Sequence, residues 1–323
     1  MMQFLTTHPG QPLTLAPLGS QPEQVHVFDQ DSIYAINAAL AARRPLLVLG
    51  EPGTGKSQLA LAAASALRRA FVQKVVTART EAQDLVWHFD AVSRLAEAQL
   101  AGALKSEENH TQVRERLAVE NFLTPGPLWW ALNWGCAKTQ AEKAKSPPPH
   151  QPPGCDPANG CVVLIDEIDK AEPELPNGLL EVLGNGEFTP TGWDKPVKSA
   201  DTPPLIIITS NEERALPAAF QRRCLALRLT LPTQRDALIA HLIARGQAHF
   251  PNASADMLAR AAAQLADDRQ AAAGDIARPK PGQAEYLDLV RAIITLAPDA
   301  PEEQVRLIEQ IAPFVMKTHR GEG

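Results

Sequence analysis

Aromatic residues are scarce, at 5% of the chain. A core must therefore be built from Ala, Leu, Ile and Val, a supply suited to helices packed on a parallel sheet. Only four cysteines occur, Cys136, Cys155, Cys161 and Cys224. That is too few for a disulfide scaffold, and reduced thiols in a cytoplasmic setting are the expectation. No apolar run reaches the roughly 18 residues needed to cross a bilayer. The opening MMQFLTTHPGQPLTLAPLGS has no cationic stretch followed by an apolar block and a small-residue cleavage site, so it does not read as a secretory signal. Positive charge is not in excess either. A formal net charge of −6 over 323 residues disfavours wholesale binding to a nucleic-acid backbone.

What is present divides the chain into three. Residues 1–26, rich in Pro, Gln and Thr, read as a loosely ordered arm. Residues 27–232 alternate helical and strand patterns. DSIYAINAALAARR forms a helix that Asp31 or Ser32 can cap, and LLVLG a buried strand. Ser57 to Ala70 forms a second helix with Arg68 and Arg69 in its last turn, followed by a strand from Phe71 to Ala78. A mostly helical region to Gln140 and a Pro-rich exposed insertion near 144–160 follow. CVVLI, LIIIT and LALRL, apolar on both faces, complete a five-stranded parallel sheet covered on both sides. Residues 233–323 carry four amphipathic helical patterns and read as a small helical domain.

The stretch GEPGTGKS follows a strand and opens a helix, the context a phosphate-binding loop requires. Gly50, Glu51, Pro52, Gly53, Thr54, Gly55, Lys56, Ser57 and Gln58 are its candidate nucleotide-binding residues. The glycines let backbone N–H groups converge on phosphate oxygens at a helix N-terminus. Lys56 reaches the β- and γ-phosphates, and the Ser57 hydroxyl ligates Mg²⁺. CVVLIDEID places Asp166 and Glu167 at the C-terminal edge of a buried strand, where ligands bind in such sheets. Asp166 fits the carboxylate that holds Mg²⁺ through water, and Glu167 fits the base that polarises the attacking water. Asn211, just past LIIITS, can position that water without adding charge. Arg222 and Arg223, in a loop before the last strand, can reach a neighbouring subunit's γ-phosphate as an arginine finger.

These elements, in this order, resemble an AAA+ ATPase of the MoxR branch. LGEPGTGKS, NFLTPGPLWWAL, VVLIDEIDKAEPELPNGLLEVLGNGEF, IIITSNEERALPAAFQRRC and RPKPGQAEYLDLVRAI carry the likeness, from about Val27 to Ala297. The resemblance implies a five-stranded αβα domain with a helical lid, and rings, commonly hexamers, with ATP between subunits. It gives Lys56, Ser57, Asp166, Glu167 and Asn211 their Walker A, Walker B and sensor 1 roles, with Arg223 as first choice of finger and Arg222 second. It also implies a hairpin within EFTPTGWDKPVKSADTPP, with Trp193 at its tip facing a pore or client, or packed on the lid. Ala284 aligns with the lid arginine that relatives use against nucleotide; Lys280 or Arg278 are the substitutes at hand. Relatives remodel partner proteins, often ones bearing a von Willebrand factor A domain.

Three other readings differ in class: a nucleotide-gated assembly switch, a DNA-directed motor, and a small-molecule P-loop kinase. The asparagine, the arginine pair and the helical lid argue against the kinase. His150, Cys136, Cys155 and Cys161 lack a C-x-x-C pair, so zinc is not expected. Trp129, Trp130 and Trp134 read as packing residues.

Overall fold

The computed structural model describes residues 4–20, 22–103, 110–272, 280–298 and 300–316. Its first strands, β1 (Pro12–Leu15) and β2 (Gln24–Val27), pair antiparallel. The stretch read as a loose arm is thus partly a hairpin, with Leu5, Leu15 and the following Phe28 buried in the main core. Helix α1 (Gln30–Ala42) is capped by Asp29, whose carboxylate accepts from Ser32 N at 2.7 Å. Asp31 and Ser32 lie inside the helix instead. Strand β3 (Leu46–Gly50) leads into α2 (Lys56–Leu67). That helix stops at Leu67 because Arg68 turns left-handed, φ 51°. Arg69 then opens β4 (Arg69–Val75), fully buried, with Nη1 donating to Pro203 O at 3.1 Å.

The region read as mostly helical contains a small antiparallel pair, β5 (Trp87–Phe89) and β6 (Leu123–Pro125). Between them lie α3 (Ala91–Ala103) and α4 (His110–Arg116). Helices α5 (Pro127–Leu132) and α6 (Trp134–Lys143) follow. The Pro-rich stretch is docked on the sheet edge. Gln151 accepts from Phe71 N at 2.8 Å and donates to Phe71 O at 3.1 Å, so its side-chain amide pairs β4 as a neighbouring strand would. Strand β7 (Asp156–Asp166) already begins within that stretch.

Helix α7 (Glu174–Asn185) and the short strands β8 (Glu187–Phe188) and β9 (Val197–Lys198) form the expected hairpin region. Strand β10 (Leu205–Ser210), helix α8 (Ala218–Arg223) and strand β11 (Leu225–Leu229) finish the sheet. Its order is β11-β3-β10-β7-β4, and every pairing is parallel. Alternate strand residues serve opposite layers. Val48, Leu164 and Ile207 pack with α1 and α2, whereas Leu47, Ile165 and Ile208 pack with α5 and its neighbours. Trp129 and Trp130 are buried in the second layer, as their packing role requires. Truncating Trp129, fully buried, costs about 3–5 kcal/mol.

Helices α9 (Arg235–His249), α10 (Ala255–Ala271), α11 (Gln283–Leu296) and α12 (Pro301–Val315) enclose a separate core around Leu242, Leu265, Tyr286 and Ile293. No helix among the described residues is long and apolar enough to cross a membrane.

Candidate nucleotide site

The glycine-rich loop sits between β3 and α2, at the C-terminal edge of the sheet. Gly50 holds φ 152°, and a Cβ there would stand 2.3 Å from the Leu229 carbonyl oxygen of β11. Only glycine allows that approach. Gly55, at φ 89°, turns the chain into α2. Lys56 is buried, and its Nζ donates to Gly50 O at 2.8 Å and Glu51 O at 2.9 Å. Desolvation pushes its ammonium below the usual lysine range, with Asp166, Asp169, Glu167 and Glu212 acting in the opposite sense.

Facing the loop, Ser57 Oγ donates to both carboxylate oxygens of Asp166, at 2.9 and 2.8 Å. A hydroxyl and a carboxylate are hard oxygen donors, the chemistry that would suit Mg²⁺. Glu167 lies in the left-handed region, φ 59°. Its Oε1 accepts from Asn211 Nδ2 at 3.3 Å and its Oε2 from Lys170 Nζ at 2.5 Å. The two sequence-assigned water-handling residues are therefore in contact.

Two residues that hold this arrangement carry no motif of their own. Thr209 is fully buried; its hydroxyl donates to Asp166 Oδ1 at 2.5 Å and accepts from Glu167 N at 2.9 Å. Asp169, also buried, accepts from Asn211 N at 3.2 Å and Glu213 N at 2.9 Å and so fixes the loop that follows β10. A hydroxyl inside LIIIT and a second acid in DEID were the available signals.

The cleft over these groups has a volume of about 370 Å³. Gly53, Gly55, Lys56, Ser57, Gln58, Asp166, Glu167 and Asn211 line it, as do Pro52 and Gln24. Its far wall belongs to the helical region: His249 from α9 and Gln283, Ala284, Leu287, Asp288 and Arg291 from α11. That wall is tied to the loop, since Ala284 N donates to Gly53 O at 3.1 Å and Arg269 pairs with the Glu51 carboxylate. Thr54 Oγ1 donates to Glu51 O at 2.9 Å, which braces the loop from within.

Ala284 lines the cleft as its alignment suggested but carries no charge. Lys280 is exposed and is not in the lining, and Arg278 lies outside the described residues. Arg291, which the sequence reading passed over, is in the lining, paired with Asp288 at 2.9 Å and 6.0 Å from the Phe250 ring centroid.

Arg222 and Arg223 are not in a loop. They form the last turn of α8 and are exposed at the opposite edge of the sheet from the phosphate loop. Arg223 Nη1 donates to Leu180 O at 3.3 Å. Trp193 is half-buried rather than projecting from a hairpin tip or resting on the helical region. Its ring meets Trp129 edge-on at 5.3 Å.

No curated protein matches the chain. Among solved structures, a proline-to-glycine mutant of RuvB from Thermotoga maritima is similar, with 13% identity and a TM-score of 0.44, over 87% of this chain and 68% of that one. The pattern of the AAA domain, dynein-related subfamily, matches residues 45–224, from the residue before β3 to the one after α8. By that match over more than half its length, the chain belongs to the AAA domain family, in its dynein-related subfamily.

Proposed function

We propose that the protein binds ATP with Mg²⁺ and hydrolyses it, in a ring in which each subunit completes its neighbour's site. The observation that carries this reading is the meeting of Lys56, Ser57, Asp166, Glu167 and Asn211 on one cleft closed by a helical wall. In this reading the loop amides and Lys56 take the phosphates, and Ser57 and Asp166 hold the metal. Glu167 accepts the proton of a water that Asn211 orients. Arg291 is the cation that the helical lid brings to the nucleotide.

The ring part rests on position. Strand β3 starts at Leu46, paired in parallel with Leu225, and ends at the phosphate loop. Helix α8 therefore stands a strand's length, on the order of 17 Å, from its own cleft. Arg223, or failing it Arg222, serves the cleft of the next copy, where a finger contributes about 10³–10⁵ in rate. The resemblance to the MoxR branch extends the reading to a hexamer acting in the cytoplasm that remodels or activates a partner protein, including one with a von Willebrand factor A domain. Residues 1–26, 27–232 and 233–323 are then an N-terminal arm, a nucleotide-binding domain and a lid.

The test is Glu167→Gln. It should bind ATP and lose turnover, while the parent's rate per subunit rises with protein concentration. Hydrolysis at the parent rate in Glu167→Gln would overturn the assignment of the base. A second reading, an assembly switch with slow turnover, draws support from the commitment of both Glu167 oxygens to Asn211 and Lys170. A rate per subunit that stays low and independent of concentration would favour it.

A further inference from the structure

Helix α1 ends at Arg43, which adopts the left-handed conformation at φ 52°. The next side chain reaches the end of α8. The half-buried Arg44 guanidinium there meets three successive carbonyls. Nε donates to Arg223 O at 3.1 Å, and Nη2 donates to Arg222 O and, at 3.2 Å, to Cys224 O. Alongside it, Leu225 N donates to Pro45 O at 2.8 Å.

The last carbonyls of a helix have no partner within it. A helix of six residues such as α8 has little stability of its own. A cation at this end meets both needs, because it binds the orphan acceptors and opposes the negative end of the helix dipole. The carbonyls it holds belong to the two arginines read as the finger and to the residue after them.

We infer that Arg44 is a positioning residue for the finger. By gripping the carbonyls of Arg222, Arg223 and Cys224 it fixes the direction in which Arg223 leaves α8 toward the neighbouring subunit's ATP. The inference rests on the reading of Arg223 as a finger acting in trans. Arg44 does not line its own 370 Å³ cleft, and its guanidinium is occupied by the three carbonyls. A lysine in its place keeps the charge but loses the planar fork that spans three acceptors.

The experiment compares Arg44→Ala and Arg44→Lys with Arg223→Ala. Nucleotide affinity is measured with a fluorescent ATP analogue, and turnover at a protein concentration where the parent is assembled. Arg44→Ala should bind the analogue within about twofold of the parent with KM little changed, and lose about 10- to 100-fold in kcat, the scale of a misplaced catalytic group. Arg44→Lys should recover part of that loss.

Each arginine variant is then mixed with Lys56→Ala, whose finger is intact and whose cleft is disabled. A gain above the weighted sum for the Arg44→Ala mixture, matching that for Arg223→Ala, supports the inference. A gain with Arg223→Ala but none with Arg44→Ala overturns it and leaves the finger standing. No gain with either removes the finger reading and this inference with it. A raised KM at unchanged kcat, or loss of assembly in Arg44→Ala alone, also overturns it. If Arg44→Ala loses its near-ultraviolet circular dichroism, Arg44→Lys carries the same mixing test.

Discussion

Replacing Thr209 by valine removes one hydroxyl from a fully buried position and leaves the strand otherwise filled. That hydroxyl makes two bonds, donating to Asp166 Oδ1 at 2.5 Å and accepting from Glu167 N at 2.9 Å. A bond to a charged group contributes about 1.5–3 kcal/mol, and a buried amide left without its partner costs about 1–3 kcal/mol. The two losses together bracket about 2.5–6 kcal/mol. Asp166 and Glu167 are only half-buried, so water restores part of each bond, and about 2 kcal/mol is the expected cost. For a domain of about 150–250 residues this lowers Tm by roughly 4–8 °C.

The chemical consequence should exceed the stability cost. The same hydroxyl orients the carboxylate assigned to Mg²⁺ and anchors the backbone of Glu167, which sits at φ 59°. The concentration of Mg²⁺ giving half-maximal ATPase rate should rise about tenfold in Thr209→Val, the scale seen when partners of metal ligands are removed. Thr209→Ser, which keeps the hydroxyl, should return it to within about twofold. Calorimetry and a magnesium titration of the ATPase rate measure the two effects. A valine variant that melts within 1 °C of the parent and shows the same Mg²⁺ dependence would refute the reasoning.

Gly50→Ala should lower Tm sharply and abolish ATP binding, since its Cβ would meet the Leu229 carbonyl at 2.3 Å and force β3 from β11; a stable variant that binds ATP would contradict the packing. Arg291→Ala should raise the KM for ATP about tenfold with little change in Tm, and an unchanged KM would remove it from the site. Burial pushes His26 down to about 4, with Arg245 acting in the same direction and the Gln58 hydrogen bond opposing it. Its pKa is thus depressed by folding. The imidazole is neutral in both states above about 6.5, and as pH falls from there toward 4 the unfolded chain takes up protons first, so stability is lost. Melts at pH 7 and pH 5 should show a larger drop for the parent than for His26→Gln, and equal drops would refute this.

The residues assigned to phosphate and metal were legible because each sits at a fixed offset from a strand end. GEPGTGKS and DEID need only their own neighbours to be placed. Thr209 and Asp169 were not, because their partners lie more than 40 positions away in sequence and only the β10–β7 pairing brings them together. Arg69 was misplaced for a similar reason. The helical pattern runs on to Ala70, but the left-handed turn at Arg68 and the distant Pro203 carbonyl draw Arg69 into the sheet. Composition misled at the N-terminus, where a few apolar residues, Leu5, Leu15 and Phe28, suffice to bury a Pro- and Gln-rich segment. Arg291 stayed hidden because it lies two turns beyond Ala284 on α11, where alignment to a local motif does not look.

Among the described residues, the helical region is tied to the phosphate loop and to the N-terminal hairpin beside it at three separate places. Arg269 grips Glu51 and Ala284 N meets Gly53 O. On the other side, Arg245 Nη1 donates to Val27 O at 2.5 Å, at the end of the N-terminal hairpin. That hairpin in turn reaches α2, because Gln58 Nε2 donates to Gln24 Oε1 at 3.0 Å and its Oε1 meets His26 Nδ1 at 3.2 Å. A ligand that spreads the loop from Gln24 or Ala284 must therefore move the helical region, and a displacement of that region from Glu51 must change the loop. Coupling of this kind is reciprocal. If ATP shifts a partner's affinity for the helical region by some factor, that partner's binding must shift ATP affinity by the same factor.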